Sequence, residues 1–431
     1  MPDLYANVSI NEKDRIMITT PKSLRLQIGI FGRTNVGKSS FLNAIAGQDV
    51  AITSPHAGTT TDVVEKPMEL LPIGPVVFLD TAGLDDVSEM GSLRIERTKK
   101  IFQRADVIVI VTTPGIWGHD EDEIVAEAKK RNTPVITVIN KVDLEEPELW
   151  FLETIRARES EPVLFSSTVL ENRESYAQAF LQKLISCVPD DFLDPPALLG
   201  DLLPAGGVAV FVVPIDLQAP KGRLILPQVQ AIRDILDSDA MTLVVKEREY
   251  AEALRKLASP PDLVVCDSQV VQKVAADTPE GVKFTTFSTL FARYKGDFIE
   301  NVRALAVIDT LVDGDRVLIA EACSHHALED DIGRVKIPRW LKQYTGRELI
   351  IETVSGRDFP DDLEKYRLIV QCGSCMLTRR EVLARISTAK VHSVGITNYG
   401  LCISFLQGVI KRVLTPFPAA LDAFEFASIK K

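Results

Sequence analysis

Eight consecutive residues, Gly32, Arg33, Thr34, Asn35, Val36, Gly37, Lys38 and Ser39, fit the phosphate-loop pattern G-x-x-x-x-G-K-[ST]. They follow the apolar run LQIGIFG and precede a helix-forming stretch that opens with Lys38, Ser39 and Ser40, which is the context the pattern needs. The backbone N–H groups of such a loop, backed by a helix N-terminus, form a concave anion site. Lys38 then reaches the β- and γ-phosphates, and the Ser39 hydroxyl ligates Mg²⁺. The choice of GTP over ATP comes from Asn140, Lys141, Val142 and Asp143, an N-K-x-D tetrapeptide after a later strand. The Asp143 carboxylate can accept from both N1–H and N2–H₂ of guanine, a donor pair that adenine lacks, while Asn140 and Lys141 brace the base and the loop. Asp80, Thr81, Ala82 and Gly83 supply a D-x-x-G element, with Asp80 directed at Mg²⁺ and the Gly83 N–H at the γ-phosphate. Thr60, within GTTTD, is read as the switch threonine that closes over the metal, and Ser166 and Ser167 fall where a base-contacting loop is expected. Lys38, Thr60, Asp80 and Gly83 form the catalytic set. Leu84 follows it and cannot orient an attacking water as a glutamine would.

A second constellation lies near the other end of the chain. Cys323-Ser-His325 follows the apolar run RVLIAEA, and Cys372-Gly-Ser-Cys375 follows LIVQ. The C-x-x-C spacing lets two thiolates grip one centre, and three thiolates plus one imidazole suit either tetrahedral zinc or a 4Fe–4S cluster. Cys187, Cys266 and Cys402 stand apart and read as small buried hydrophobes. His326 and His392 read as ordinary surface or core histidines, and Arg379 and Arg380 as a solvated helix face.

These residues need strands to hold them. LQIGIFG, PVVFLDT, ADVIVIVTT, PVITVINKVD and PVLFSST are near-continuously apolar, as buried parallel strands are, with amphipathic stretches between them. This is doubly wound α/β patterning, and it ends at PDDFLDPP, whose prolines mark a domain boundary. VAVFVVPID, MTLVVK, DLVVC and VKFTTFS form a second block of strands, and RVLIAEA, ELIIETV, LIVQC and SVGI a third. The fold class is therefore α/β with three domains: an N-terminal P-loop G domain and two smaller parallel-sheet α/β domains. Two metal-bearing strand ends can converge at the carboxyl edge of such a sheet.

Composition agrees with a soluble chain: 431 residues, 46% hydrophobic and 25% charged, with a formal net charge of −11. An acidic surface disfavours nucleic acid as a partner. No signal peptide or apolar run long enough to span a bilayer is seen, so a cytoplasmic location and no membrane partner are expected. Six cysteines make no disulfide scaffold, which in a reducing compartment leaves metal or redox chemistry for the C-x-x-C pair.

Over residues 24–190 the nucleotide motifs resemble the TrmE/Era-like branch of GTPases. That resemblance implies that Asn35 helps hold a potassium ion beside the phosphates, where it can stand in for an arginine finger. The order of the whole chain, G domain, middle α/β block and CxH…CxxC module, resembles the HydF family, GTPases that mature FeFe-hydrogenase. The resemblance implies a G domain over 1–190, a dimerisation domain over 191–288 and a cluster-binding domain over 289–431. It also implies GTP, Mg²⁺, K⁺ and a 4Fe–4S cluster on Cys323, Cys372 and Cys375, and a homodimer. Its partners would be two radical-SAM maturases and the apo-FeFe-hydrogenase, which receives a diiron precursor. Gln371 precedes Cys372 where the family commonly has histidine, so the fourth cluster ligand stays open between His325, a residue from elsewhere and an exchangeable group. A ribosome- or tRNA-associated GTPase of the same branch, its cysteines holding structural zinc, is the competing reading; the acidic charge and the lack of a basic tail weigh against it.

Overall fold

The computed structural model describes residues 22–46, 63–71, 73–80, 91–158, 161–166, 173–188, 196–214, 224–322, 331–356, 359–360 and 362–429. Thr60, Gly83, Leu84, Ser167, Cys323, His325 and His326 lie outside the described residues. The chain divides into two compact units, Met1–Pro195 and Pro196–Lys431.

In the first unit the elements run β1 (Leu26–Phe31), α1 (Lys38–Ile45), β2 (Val64–Leu70), β3 (Gly74–Asp80), α2 (Gly91–Arg104), β4 (Val107–Thr112), α3 (His119–Lys130), β5 (Val135–Ile139), α4 (Leu149–Arg158), β6 (Val163–Leu164) and α5 (Arg173–Cys187). Their strands form one six-stranded sheet in the order β2-β3-β1-β4-β5-β6. Every residue of β1, β4 and β5 is buried, which is why these runs carry no polar alternation. β2 is an addition to the strands expected from the sequence. It pairs antiparallel with β3, is only partly buried and carries Pro67, which a sheet tolerates at an edge. Behind the phosphate loop, Phe41 of α1 meets Phe165 and Phe180 edge-on, with ring centroids 4.8 and 5.0 Å apart, and this fixes the helix that the loop feeds.

The second unit holds two four-stranded parallel sheets. The first comprises β7 (Val208–Val212), α6 (Leu226–Asp237), β8 (Met241–Val245), α7 (Tyr250–Lys256), β9 (Leu263–Cys266), α8 (Val271–Asp277), β10 (Lys283–Thr286) and α9 (Phe287–Lys295). After α10 (Phe298–Arg303) come β11 (Arg316–Ala320), α11 (Ile337–Thr345), β12 (Ile350–Val354), β13 (Leu368–Gln371), α12 (Arg379–Val391), β14 (Gly395–Asn398) and α13 (Tyr399–Leu406). The sheet orders are β10-β9-β7-β8 and β12-β11-β13-β14. Counted within its own sheet, each is 2-1-3-4, so the two blocks share a topology as well as a βα alternation. They also share one hydrophobic core, to which Phe211, Phe284 and Leu290 contribute from one block and Val317, Val370 and Leu401 from the other. Helices α9 and α13, which follow the fourth strand of each sheet, pack N-terminus to N-terminus: a Cβ added at Gly400 would lie 2.6 Å from the Cβ of Ser288, so only glycine allows the approach.

Candidate functional site

The phosphate loop is built from backbone conformations that its residue types permit. Gly37 caps α1 at φ 93° and Asn35 sits at φ 65°, both left-handed. At Gly32 a Cβ would come 2.2 Å from the carbonyl oxygen of Val111, because the loop crosses directly over the end of β4. Lys38 is buried and curls back over the loop, its Nζ donating to the carbonyls of Gly32 at 2.5 Å and Arg33 at 3.0 Å. Ser39 and Ser40 follow on the exposed side of the first turn of α1.

The N-K-x-D residues are tied to that loop. Asn140, fully buried, donates its Nδ2 to the Val36 carbonyl at 2.9 Å, and Lys141 Nζ donates to the Asn35 carbonyl at 2.6 Å. Lys141 takes a left-handed conformation, φ 63°, at the end of β5. Ser166 Oγ donates to Asp143 Oδ1 at 2.5 Å, which orients the carboxylate from the end of β6. The structure thus brings Asn35, Val36, Asn140, Lys141, Asp143 and Ser166 into one cluster.

Two charged residues in this unit escaped sequence reasoning. Arg33 does not face the loop concavity with its side chain: its guanidinium makes two hydrogen bonds of 2.8 Å to the buried Glu121 carboxylate, which also accepts from the Gly118 N–H. Burial alone would raise the Glu121 carboxyl, but the bonds from Arg33 and the backbone outweigh it and hold the group below its ordinary range. Lys66 of β2 places its Nζ 2.5 Å from Oδ2 of Asp80, whose side chain is wholly buried. Asp80 thus presents a buried carboxylate to a cation, as a Mg²⁺ ligand would have to.

In the second unit, β13 delivers Cys372 to the point where the strand order reverses, between the strands in first and third place, β11 and β13. Doubly wound sheets put their ligands at such a switch point, outside the carboxyl ends of the strands. Cys372 Sγ accepts two backbone N–H groups, from Ala322 at 3.1 Å and Ser374 at 3.4 Å, an environment that suits a thiolate ligand. Ala322 immediately precedes Cys323 in the chain. Ser374 turns the chain in a left-handed conformation, φ 52°, its Oγ returning to the Cys372 carbonyl. As free thiols both cysteines are pushed up by burial, and for Cys375 the Cys372 thiolate adds to the shift. The chemistry of Cys372 and Cys375 suits a thiolate-bound centre; Cys323, the third sulfur expected from the sequence, lies outside the described residues, and among those described no group of three or more potential ligands converges.

Gln371 is buried, and its Oε1 has no hydrogen-bond partner among the described residues. Cys266 and Cys402 are fully buried, Cys402 pushed up to about 12, as core thiols are. His392 pairs with Glu364 at 2.6 Å. Arg379 donates to the Tyr294 carbonyl at 2.6 Å rather than standing free in solvent. No helix among the described residues is long and apolar enough to cross a membrane.

Three family models match the chain: a 50S ribosome-binding GTPase over residues 27–141, a hydrogen maturase F dimerization domain over 198–296 and a hydrogen maturase F tetramerization domain over 298–416. Among curated proteins, the tRNA modification GTPase MnmE of Herminiimonas arsenicoxydans is 45% identical over 123 residues, 28% of this chain and 26% of that protein. The same GTPase from Bordetella parapertussis is 46% identical over the same share. The chain therefore spans about a quarter of the length of the curated relatives it matches. Solved structures that align include Aquifex aeolicus Era, at 21% identity and a TM-score of 0.30, covering 54% of this chain and 98% of that one. The G domain of the T. maritima FeoB iron transporter aligns at 18% identity and 0.27, covering 37% and 99%.

Proposed function

Since the chain belongs to the hydrogen maturase F family, we propose that it is a GTP hydrolase whose second unit binds a 4Fe–4S cluster and carries a diiron precursor to apo-FeFe-hydrogenase. The observation that carries the reading is the Cys372 sulfur, seated at the switch point of a parallel sheet and accepting two N–H groups. When bound to three thiolates, such a cluster supplies one-electron chemistry and one iron open to an exchangeable ligand, which suits a carrier. Cys323, Cys372 and Cys375 hold it, and His325 or an outside group completes it.

In the first unit the residues divide the work. The N–H groups from Gly32 to Ser40 cradle the phosphates. Lys38 swings from its carbonyl partners to the β- and γ-phosphates, and Asp80 with Ser39 and Thr60 orients Mg²⁺. Gly83 N–H binds the γ-phosphate, and Asp143 selects guanine, steadied by Ser166 and by Ser167 in the same loop. Leu84 supplies no group to orient water, so potassium at Asn35 provides the missing positive charge. The similarity to tRNA modification GTPases stops within this unit, at 28% of the chain, and gives the tRNA reading no further support.

Oligomer formation follows from the two hydrogen maturase F domains, and we place the dimer contact at β8. This strand lies at the sheet edge with Met241 55% and Val244 39% exposed, an edge that a second copy can cover by forming an eight-stranded sheet. The protein works in the cytoplasm, where the radical-SAM maturases supply the diiron unit.

Iron and sulfide counted in anaerobically reconstituted protein test the reading. Cys323→Ser, Cys372→Ser and Cys375→Ser should each lose the cluster, and Cys187→Ser should keep it. A colourless parent protein that holds zinc instead would overturn it.

A further inference from the structure

Helix α9 belongs to the first sheet of the second unit, yet it ends against the cysteine turn of the other. Lys295, its last residue, is 2% exposed. Its Nζ donates to three carbonyl oxygens of one short segment: Ser374 at 3.1 Å, Cys375 at 3.3 Å and Leu377 at 2.7 Å. An ammonium has three donors, and all are used. The side chain runs beside Phe291, whose ring centroid lies 5.6 Å from Nζ. One residue earlier, the Tyr294 carbonyl accepts from Arg379, and at the other end of the helix the Ser288 hydroxyl accepts from Asn398 Nδ2 and the Gly400 N–H. Burying a cation is costly unless it is fully partnered, and an irregular buried turn is equally costly unless its carbonyls are. Lysine and turn solve each other's problem. Burial pushes the Lys295 ammonium down to about 8, and the neighbouring Cys375, Glu381 and Cys372 act against that shift, so the groups around the cysteine turn favour its charged form.

We propose that Lys295 is the positioning residue of the cluster site, pinning the turn so that the sulfurs of Cys372 and Cys375 converge, and stabilising with its charge the state in which the cluster has gained an electron. The inference rests on the cluster reading above. A buried cation near a centre that becomes more negative by one electron favours reduction, so it raises the midpoint potential.

Lys295→Met keeps the stem and removes the charge and all three donors; Lys295→Arg keeps the charge. Two measurements on full-length protein separate the possibilities. Hydrogen exchange of the metal-free chain should show faster exchange at residues 373–377 in Lys295→Met, with β13 unchanged, and parent-like exchange in Lys295→Arg. Titration with dithionite, followed by electron paramagnetic resonance of the reconstituted protein, should give a more negative midpoint in Lys295→Met, restored toward the parent by Lys295→Arg. Parent-like exchange together with a parent-like midpoint in Lys295→Met overturns the proposal. If the methionine variant takes up no cluster, the exchange measurement decides alone. A parent protein that binds no iron sinks the cluster reading instead, while the exchange arm still reports on the pinned turn.

Discussion

Asn140 and Val36 stand 104 residues apart in the chain and 2.9 Å apart in the fold, the side-chain amide of one closing on the carbonyl of the other with no water between them. The bond makes the base-selecting loop and the phosphate loop a single rigid piece. Asp143, one turn away and steadied by Ser166, inherits that rigidity. Asp143→Asn should therefore weaken the preference for GTP over ATP rather than merely loosen the loop. A buried unpaired donor costs about 1–3 kcal/mol, or roughly 5- to 150-fold in discrimination. Competition between the two nucleotides measures it, and an unchanged ratio would remove Asp143 from its role.

Lys66 pairs with the buried carboxylate of Asp80. Lys66→Met should destabilise the fold by on the order of 3 kcal/mol, because a buried carboxylate loses a cationic partner. Mg²⁺ with GDP supplies a replacement cation, so the stabilisation gained on adding both should be larger in the variant than in the parent. Equal gains in thermal melts would show that Lys66 and the metal do not share the carboxylate.

The Arg33–Glu121 pair gives the first unit an acid-sensitive strut. Glu121 titrates below its ordinary value of 4.5 in the folded chain, so the stability it contributes is present above that value and is lost as pH falls through the lower folded value. Glu121→Gln should cost about 1–2 kcal/mol at neutral pH, held at the lower end because the Arg33 side chain is 44% exposed, and it should flatten the acid limb of the stability curve. Denaturant melts of parent and variant from neutral pH down to about pH 3 check it; parallel curves would refute it.

Hydrolysis should be slow unaided and faster in potassium than in sodium salts. Asn35, at φ 65° with its carbonyl accepting from Lys141, is the residue proposed to help bind the ion. Equal rates at matched ionic strength would dismiss the ion. Lys38→Ala should abolish turnover and keep the iron content of the second unit, because the three cysteines proposed to hold the cluster all belong to the second.

The β8 edge offers a direct test of assembly. Val244→Lys places a charge where two sheets would join and should shift light-scattering mass from twice that of one chain toward one. A parent that scatters as a single chain across micromolar concentrations rules out the edge as an interface.

Much of this was legible in the residues alone. Parallel strands buried on both faces leave continuous apolar runs, and a phosphate loop must carry glycines where the backbone turns left-handed, so both sheets of the second unit and the loop of the first could be read directly. β2 could not: partly buried, with Glu65, Lys66 and Pro67 in succession, it has the pattern of a loop and becomes a strand only because β3 offers a free edge. Glu121, Lys66 and Lys295 were equally invisible. Each is a single charged residue whose partner lies far off in sequence, and nothing in local spacing distinguishes a buried, fully bonded lysine from the solvated majority. Strand order is likewise a property of the crossovers, not of the runs they connect, so the placing of Cys372 at a switch point appears only in the fold.

The common core beneath the two small sheets has a consequence for how the chain melts and answers its partners. Two sheets that bury the same side chains should lose their order together, since opening one exposes the apolar surface of the other. A second copy covering the β8 edge, as proposed, should therefore also slow local opening in the neighbouring sheet, through mass action. Assembly should then also lengthen the life of the cysteine turn in the second sheet.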